Sequence, residues 1–139
     1  MTDIARLLAL PRAARIGAIE LADKVASGLP VSAADAMRDL LRPLGPGAIH
    51  EIVPEATLRR ARKEGKPLSR DASERLYDMA RVFVRAEQVM GERAKAVRFM
   101  QRPNVTLRMR TPFELARSST AGAEAVIELL GQAEAGVAV

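Results

Sequence analysis

The sequence predicts an all-α protein in which a long helix joins two groups of shorter helices. From residue 70 to residue 90, apolar residues recur at the spacing of one helix face. Prolines and glycines divide residues 28–65 into short segments of helical composition. Residues 111–115, Thr-Pro-Phe-Glu-Leu, combine an N-cap, a proline at the first helical position and a glutamate three residues after the cap. These three observations favour helix along most of the chain.

The first predicted region, residues 1–28, is alanine-rich and mostly helical in propensity. Pro11 is expected to separate two short helices, because proline disrupts a helix interior. The apolar residues do not form one clean stripe, so we interpret the region as a helical extension that serves packing or dimerisation. Gly28-Leu29-Pro30 is expected to end it.

Residues 29–70 form the second predicted domain, which begins with two short helices. Ser32 is expected to cap the first helix, with Asp35 in the place of the usual glutamate of a capping box. The segment 43–47, with two prolines and two glycines, ends this helix. Residues 48–52 then allow barely more than one further turn.

An arginine-rich helix follows, predicted from Glu55 to Glu64. Pro54 opens it and Gly65 ends it. The order of helix, short helix, turn and basic helix is typical of a helix-turn-helix domain. Because the second helix is so short, we interpret the motif as degenerate.

The predicted basic helix has two distinct faces. At about 100° per residue, Leu58 and Ala61 point to one side and a set of polar residues points to the other. The residues expected to contact the major groove of DNA or its phosphates are Thr57, Arg59, Arg60 and Lys63. Residues 59–70 carry six positive charges against Glu64 alone, which favours an anionic partner. A basic helix face that is merely solvated is the alternative.

Residues 71–139 form the third predicted domain, which opens with the long helix. Ser69 is expected to cap this helix, and Gly91 is expected to end it. Its apolar face is expected to hold Leu76, Met79, Phe83, Ala86 and Met90. Its solvent-facing side is expected to hold Asp78, Arg81, Arg85 and Gln88. We expect the long helix to connect the two halves of the protein.

A short loop is expected to follow, because Pro103-Asn104 stops the preceding helix. Thr111 then caps a short helix that opens at Pro112. Ser118 is expected to cap the last helix. The apolar residues of that helix recur at helical spacing and are Ala123, Val126, Ile127 and Leu130.

The stretch from Gly91 to Gly136, GERAKAVRFMQRPNVTLRMRTPFELARSSTAGAEAVIELLGQAEAG, resembles the C-terminal toxin-binding domain of the Xre/MbcA/ParS antitoxin family. The matching positions are Gly91, Ala96, Pro103, Asn104, Leu107, Thr111, Pro112, Glu114, Leu115, Gly122, Val126, Leu129, Leu130 and Gly136. Four positions or pairs depart from the family pattern. They are Phe99-Met100 for Trp-Leu, Arg108-Met109 where glycine is usual, Ala116 where leucine is frequent, and Pro54 where a serine or threonine cap is usual.

The resemblance implies an antitoxin that neutralises a RES-type toxin, an enzyme that degrades NAD or transfers its ADP-ribose. It also implies that the C-terminal segment of the antitoxin covers the NAD pocket of the toxin. The family carries an Xre-type helix-turn-helix domain and commonly represses its own operon. Operator DNA is therefore the second expected partner, and a homodimer or a toxin–antitoxin hetero-oligomer is the expected assembly. The alternative is a stand-alone DNA-binding regulator.

The residues expected to bind the toxin are Thr111, Pro112, Val126, Ile127, Leu130, Glu134 and Val139. Residues 131–139 consist almost entirely of small residues, which can enter a narrow cleft. Glu134 and the Val139 carboxylate would supply negative charge to a cleft that binds phosphates. Gly131 and Gly136 would let the backbone bend on entry.

Other kinds of function find little support in the sequence. Cysteine is absent, and His50 is the only histidine, so neither a thiol site nor a Ser/His/Asp set is available. We expect no enzyme activity, no cofactor and no metal. No apolar run reaches the length of about 18 residues that a membrane span needs, so we expect a cytoplasmic protein.

Charge is distributed unevenly over the last part of the chain. Residues 93–117 contain seven basic residues and one acidic residue. Residues 118–139 contain three acidic residues and no basic residue. This pattern indicates either an internal match between two packed helices or a basic rim for an acidic partner.

Overall fold

The computed structural model describes residues 3–136, and these fold into eight α-helices without a β-strand. The helices are α1 (Ile4–Leu7), α2 (Ala18–Ser27), α3 (Val31–Leu41), α4 (Glu55–Glu64), α5 (Arg70–Met90), α6 (Arg93–Gln101), α7 (Pro112–Ser118) and α8 (Thr120–Glu134). Short 3₁₀ turns occupy Ala13–Arg15, Arg42–Leu44, Ala48–Glu51 and Val105–Leu107. The all-α fold class is thereby confirmed. None of the helices in this part of the chain is both long and apolar enough to cross a membrane.

The chain divides into two compact units between Ala80 and Arg81, within helix α5. Unit 1 extends up to Ala80 and unit 2 begins at Arg81. The boundary expected from the sequence lay at residue 70, where α5 begins. Each unit has its own buried core, so each is described by itself.

Unit 1 buries apolar side chains from every helix between α3 and the first half of α5. Its fully buried large residues include Leu8, Leu29, Met37, Leu41, Ile49, Ile52, Val53, Leu76 and Met79. The predicted one-turn segment is a 3₁₀ turn, Ala48–Glu51, in which Ala48 and Ile49 are buried. The third helix runs from Glu55 to Glu64 and ends at Gly65 in the left-handed region, as predicted.

Three hydrogen bonds hold the start of α5 in unit 1. The buried Leu29 amide donates to Ser73 Oγ over 2.7 Å. The Leu68 amide donates to the Leu29 carbonyl over 2.8 Å. Arg75 Nε donates to the Ile52 carbonyl over 2.9 Å. Because a buried amide without a partner is costly, the first two bonds fix how the α2–α3 connection meets the start of α5. The third bond joins α5 to the segment that precedes α4.

Two predicted caps are wrong. Helix α3 begins at Val31 after Pro30, and no side chain caps it, so Ser32 lies inside its first turn. Proline fixes an extended entry to the helix, which then begins without a polar cap. Helix α7 continues through Ser118, so the first extended residue is Ser119, and Ser119 caps α8 by accepting from the Gly122 amide. Ser118 instead donates to the Leu115 carbonyl over 2.7 Å.

Two other predicted caps are confirmed. Ser69 Oγ accepts from the Ala72 amide over 3.1 Å at the start of α5. Thr111 Oγ1 accepts from the Glu114 amide over 3.0 Å, and the Thr111 amide donates to Glu114 Oε1 over 3.3 Å. Both halves of the capping box are therefore present, with Pro112 at the first helical position.

The long helix α5 buries a wider face than the sequence predicted. Asp78, expected on the solvent side, is only 8% exposed. Val82 and Val84 lie outside the predicted apolar stripe and are buried as well. The prediction was wrong because a helix that supplies core residues in many directions has no single polar face.

Unit 2 contains the end of α5 together with α6, α7 and α8. Its core includes Phe83, Ala96, Met100, Leu107, Phe113, Val126, Leu129 and Leu130. Gly122 is buried where α8 meets α7, and a Cβ there would overlap the Leu115 carbonyl oxygen and approach Ser118 Oγ to 2.9 Å. The two helices pack closely here because residue 122 has no side chain.

Two acids of α8 pair with arginines of α5. Arg81 Nη2 lies 2.6 Å from Glu124 Oε1. Arg85 lies 2.6 Å and 3.1 Å from the two carboxylate oxygens of Glu134. These two acids thus form an internal charge match, but their partners lie on α5 and not in residues 93–117.

Candidate functional site

Helix α4 presents the predicted basic face. Leu58 is buried, Thr57 is half-buried, and Arg59, Arg60 and Lys63 are exposed. Pro54 stands at the N-cap position and makes no side-chain cap. The structure thus places the three predicted cations together on the outside of one helix.

The exposed cations of α4 differ in their local partners. Arg59 Nη1 lies 3.8 Å from Glu55 Oε1, a long and exposed pair within the helix. Arg60 and Lys63 form no ion pair within residues 3–136. An exposed pair at this distance is weak, so all three remain accessible to an anion. Arg60 and Lys63 could bind an anion without breaking an ion pair of the described chain.

Arg62 has a role that the sequence reasoning missed. It forms a two-point ion pair with Asp35 of α3, at 2.8 Å and 3.3 Å. This pair joins α3 to α4. The available signal was spacing, because Arg62 follows the buried Leu58 by four residues and therefore lies on the side of α4 that faces the protein.

The Arg62 hydrogen bond lowers the pKa of Asp35 below its ordinary value, and partial burial opposes that shift. A carboxylate with a lowered pKa in the folded state stabilises the fold above its unfolded pKa, about 3.9, and loses that contribution as pH falls through the folded pKa. Replacing Asp35 with asparagine should therefore make the free energy of unfolding depend less on pH below about pH 5. Urea unfolding monitored by circular dichroism, at neutral pH and near pH 3, would measure the difference.

A reciprocal variant controls this prediction. Arg62→Gln removes the positive charge of the pair and leaves the carboxylate, so it should also reduce the pH dependence. If Arg62→Gln unfolds with the pH dependence of the unmodified chain, the pair is not its source.

The residues predicted to bind a toxin are distributed between core and surface in unit 2. Pro112 is buried, and Val126 and Leu130 are fully buried. Thr111 and Ile127 are half-buried. Val139 lies outside the described residues. Of the described members of this set, Thr111 and Ile127 are partly accessible and Glu134 is exposed.

The predicted acidic tail residue, Glu134, belongs to the last turn of α8. Its hydrogen bonds with Arg85 lower the pKa of Glu134 and raise that of Arg85. Helix α8 continues through Gly131, so the bend expected there is absent. Gly136, by contrast, has a φ of +90°, so the chain turns directly after α8.

The loop 104–110 carries a feature that sequence reasoning missed. Val105 is 81% exposed and Met109 is 62% exposed, the largest exposures of bulky apolar residues in the described part of unit 2. Arg108 and Met109 have φ values of +56° and +66°, a conformation that costs a residue with a Cβ about 1 kcal/mol or more. The available signal was the Arg108-Met109 pair itself, at positions where the resembling family usually has glycine.

Groups suited to catalysis or metal binding are sparse in the described chain. Residues 3–136 contain no cluster of three histidine, cysteine or acidic side chains that could hold a metal ion. His50 Nδ1 lies 3.4 Å from the Val53 carbonyl, a local contact beside the 3₁₀ turn. The candidate sites are the basic face of α4 and the surface of unit 2.

Two family models match the chain. Residues 20–81 match the antitoxin Xre-like helix-turn-helix domain, and residues 85–136 match the antitoxin Xre/MbcA/ParS C-terminal toxin-binding domain. The first match begins inside α2 and ends close to the limit of unit 1. The second lies wholly within unit 2.

A curated protein supports the same assignment. An antitoxin Xre of Pseudomonas putida is 34% identical over 65 residues, which make up 47% of this chain and 41% of that antitoxin. The matched stretch thus spans less than half the length of this relative. The two domain matches together cover residues 20–136 except for 82–84. The chain belongs to the Xre/MbcA/ParS antitoxin family.

Proposed function

We propose that this antitoxin binds and silences a RES-type toxin, an enzyme that consumes NAD by degrading it or by transferring its ADP-ribose. The match of residues 85–136 to a toxin-binding domain carries this proposal. The same residues lie in one compact unit with its own buried core, as a stable binding module requires. The RES-type partner follows from the family resemblance.

The predicted toxin-binding residues have two roles in this proposal. Thr111 and Ile127 contact the toxin, since both side chains are partly accessible. Pro112, Val126 and Leu130 act from the core by keeping α7 and α8 in register. Residues 135–139, which we call the tail, follow α8 and occlude the NAD site. The Glu134–Arg85 pair supports this arrangement by anchoring the last turn of α8, from which the tail extends.

Co-expression with the neighbouring gene is the direct test of the partner. If that gene encodes the toxin, the two chains should co-purify, and the complex should consume far less NAD than the toxin alone. The toxin purified without this chain is the control. Failure of the two chains to associate at micromolar concentration would contradict the proposal. Operator binding in the absence of any toxin partner would instead favour a stand-alone regulator.

A second proposed activity is repression of the antitoxin's own operon through α4. The exposed cations of α4 and the helix-turn-helix match at residues 20–81 support it. The Asp35–Arg62 pair would hold α4 against α3, so that Thr57, Arg59, Arg60 and Lys63 meet the DNA as one preorganised surface. Preorganisation lowers the entropy lost on binding.

Replacing Arg60 and Lys63 with alanine should weaken operator binding about tenfold or more at low salt, because two phosphate contacts are lost. The dependence of affinity on salt should also become less steep. Fluorescence anisotropy with a labelled operator fragment, over a series of salt concentrations, would measure both effects. Toxin binding should be unchanged.

The matched control is Lys95→Ala with Arg98→Ala, which removes the same charge from exposed positions of α6 in unit 2. This variant should bind the operator nearly as the unmodified chain does. Equal losses in both double variants would mean that net charge alone, and not the face of α4, attracts DNA.

A further inference from the structure

Loop 104–110 is held in one conformation by its own backbone. The Asn104 amide donates to the Arg110 carbonyl over 3.0 Å and so bridges the two ends of the loop. The Asn104 carbonyl accepts from the amides of Leu107 and Met109, each over 2.9 Å. Asn104 Oδ1 accepts from the Thr106 amide over 2.9 Å. A loop with so many internal hydrogen bonds loses little entropy when it binds a partner.

The loop presents apolar side chains to solvent although it also has an anchor in the core. Leu107 is only 6% exposed, whereas Val105 and Met109 are 81% and 62% exposed. One buried side chain is enough to attach the loop to unit 2. The two exposed side chains therefore contribute little to folding and are accessible to a partner.

The backbone at the tip of the loop is unfavourable for the residues that occupy it. Arg108 and Met109 both adopt positive φ, which glycine would adopt without strain. Strain of this kind in a surface loop points to a functional constraint on the side chains. A guanidinium and a thioether at these positions supply what glycine lacks, namely charge and adaptable apolar surface.

The loop and its flank are basic. Arg102, Arg108 and Arg110 are exposed, and residues 102–110 contain no acid. Arg102 and Arg108 form no ion pair within residues 3–136. Arg110 Nε donates to the Leu107 carbonyl over 3.3 Å, which leaves its charge without a carboxylate there. Such a rim fits a partner surface that is apolar at its centre and acidic around it.

We propose that loop 104–110 determines which toxin this antitoxin recognises. In this proposal, which depends on the proposed function, Val105 and Met109 pack on an apolar patch of the toxin. Arg108 and Arg110 pair with acids around that patch. Methionine and arginine are both enriched in protein interfaces, and a rigid loop presents them at low entropic cost.

Two substitutions test the apolar part, and neither is expected to destabilise the fold. Met109→Gly removes the side chain and the strain together, so the melting temperature should stay the same or rise while toxin affinity falls about tenfold. Val105→Ser should lower affinity similarly with little change in melting temperature. The probe is an inactive form of the toxin that co-purifies with this chain, and calorimetry measures its affinity. Ile19→Ser, at an equally exposed apolar residue of unit 1, is the control and should bind normally.

A further pair of variants tests the positive charge of the loop. Arg108→Glu should weaken the complex more at low salt than at high salt, because reversal turns an attraction into a repulsion. Arg12→Glu changes the same charge at an exposed arginine that also has positive φ, but in unit 1, and should leave the affinity unchanged.

The outcomes separate this inference from the proposed function. If the unmodified chain binds the toxin and Met109→Gly and Val105→Ser bind it equally well, the loop is not the recognition element and only this inference fails. If the unmodified chain binds no toxin, the proposed function fails and this inference fails with it.

Discussion

Replacing Gly122 with alanine is expected to destabilise unit 2 by about 3 kcal/mol or more. A Cβ at this position would overlap the Leu115 carbonyl oxygen and lie 2.9 Å from Ser118 Oγ. This oxygen belongs to the backbone of α7, so it cannot move away as the end of a flexible side chain would. Relief would require α7 and α8 to separate, which would disturb the buried Phe113 and Val126.

Gly131→Ala is the matched control, because it makes the same change in the same helix. No atom lies within 4 Å of the added Cβ at residue 131. Alanine should therefore stabilise α8 by about 0.5–1 kcal/mol through its higher helix propensity. Urea unfolding of both variants should move the midpoint in opposite directions. A Gly122→Ala protein as stable as the unmodified chain would show that the α7–α8 contact is not tight.

Local signals were enough to predict most of the helices. A capping box at Thr111, a cap at Ser69 and left-handed glycines at 65 and 91 act within one turn of the chain, so the sequence displays them directly. Ser118 and Ser119 show the limit of such signals. Either serine can cap a helix, and the choice depends on how far α7 continues, which tertiary packing decides.

The features that the sequence did not predict depend on residues far apart in the chain. Asp35 has the spacing of a capping box, yet it pairs with Arg62, 27 residues away. Glu134 looked like a free acid near the end of the sequence, yet it pairs with Arg85, 49 residues away. Periodicity along one helix cannot show which element packs against that helix. The same limitation explains why Asp78 was expected on the solvent side.

The candidate sites were predicted unevenly for the same reason. The basic face of α4 follows from helix periodicity alone, and the structure places Arg59, Arg60 and Lys63 as expected. The exposure of Val105 and Met109 could not be predicted, because it depends on which apolar residue of the loop enters the core. Leu107 takes that position.

The tail, residues 135–139, is the proposed inhibitory element, and ending the chain after Glu134 should abolish most of the inhibition. A cleft that holds the phosphates of NAD is expected to be narrow and positively charged. The tail sequence, Ala-Gly-Val-Ala-Val, has little side-chain bulk to obstruct entry. Gly136, with a φ of +90°, allows the chain to turn away from the axis of α8.

Ending the chain after Glu134 tests the tail more cleanly than ending it after Gly131, which would also remove the last residues of α8. Ending the chain after Glu134 keeps all of α8 and the 2.6 Å contact between Glu134 and Arg85. The remaining protein should therefore fold and bind the toxin with nearly unchanged affinity. Consumption of NAD by the complex should return to about that of the free toxin. Calorimetry would measure the binding, and an NAD assay would measure the activity of the same samples.

Ile127→Ser is the control that separates occlusion from affinity. Ile127 is half-buried on α8, so this change should weaken binding and leave the tail in place. Inhibition lost through weak binding returns when the antitoxin is in excess, since a higher antitoxin concentration shifts the equilibrium toward the complex. Inhibition lost with the tail should not return at any excess, because the complex is already formed. If the truncated chain inhibits as fully as the unmodified one, unit 2 acts through its helices and the tail has no part in inhibition.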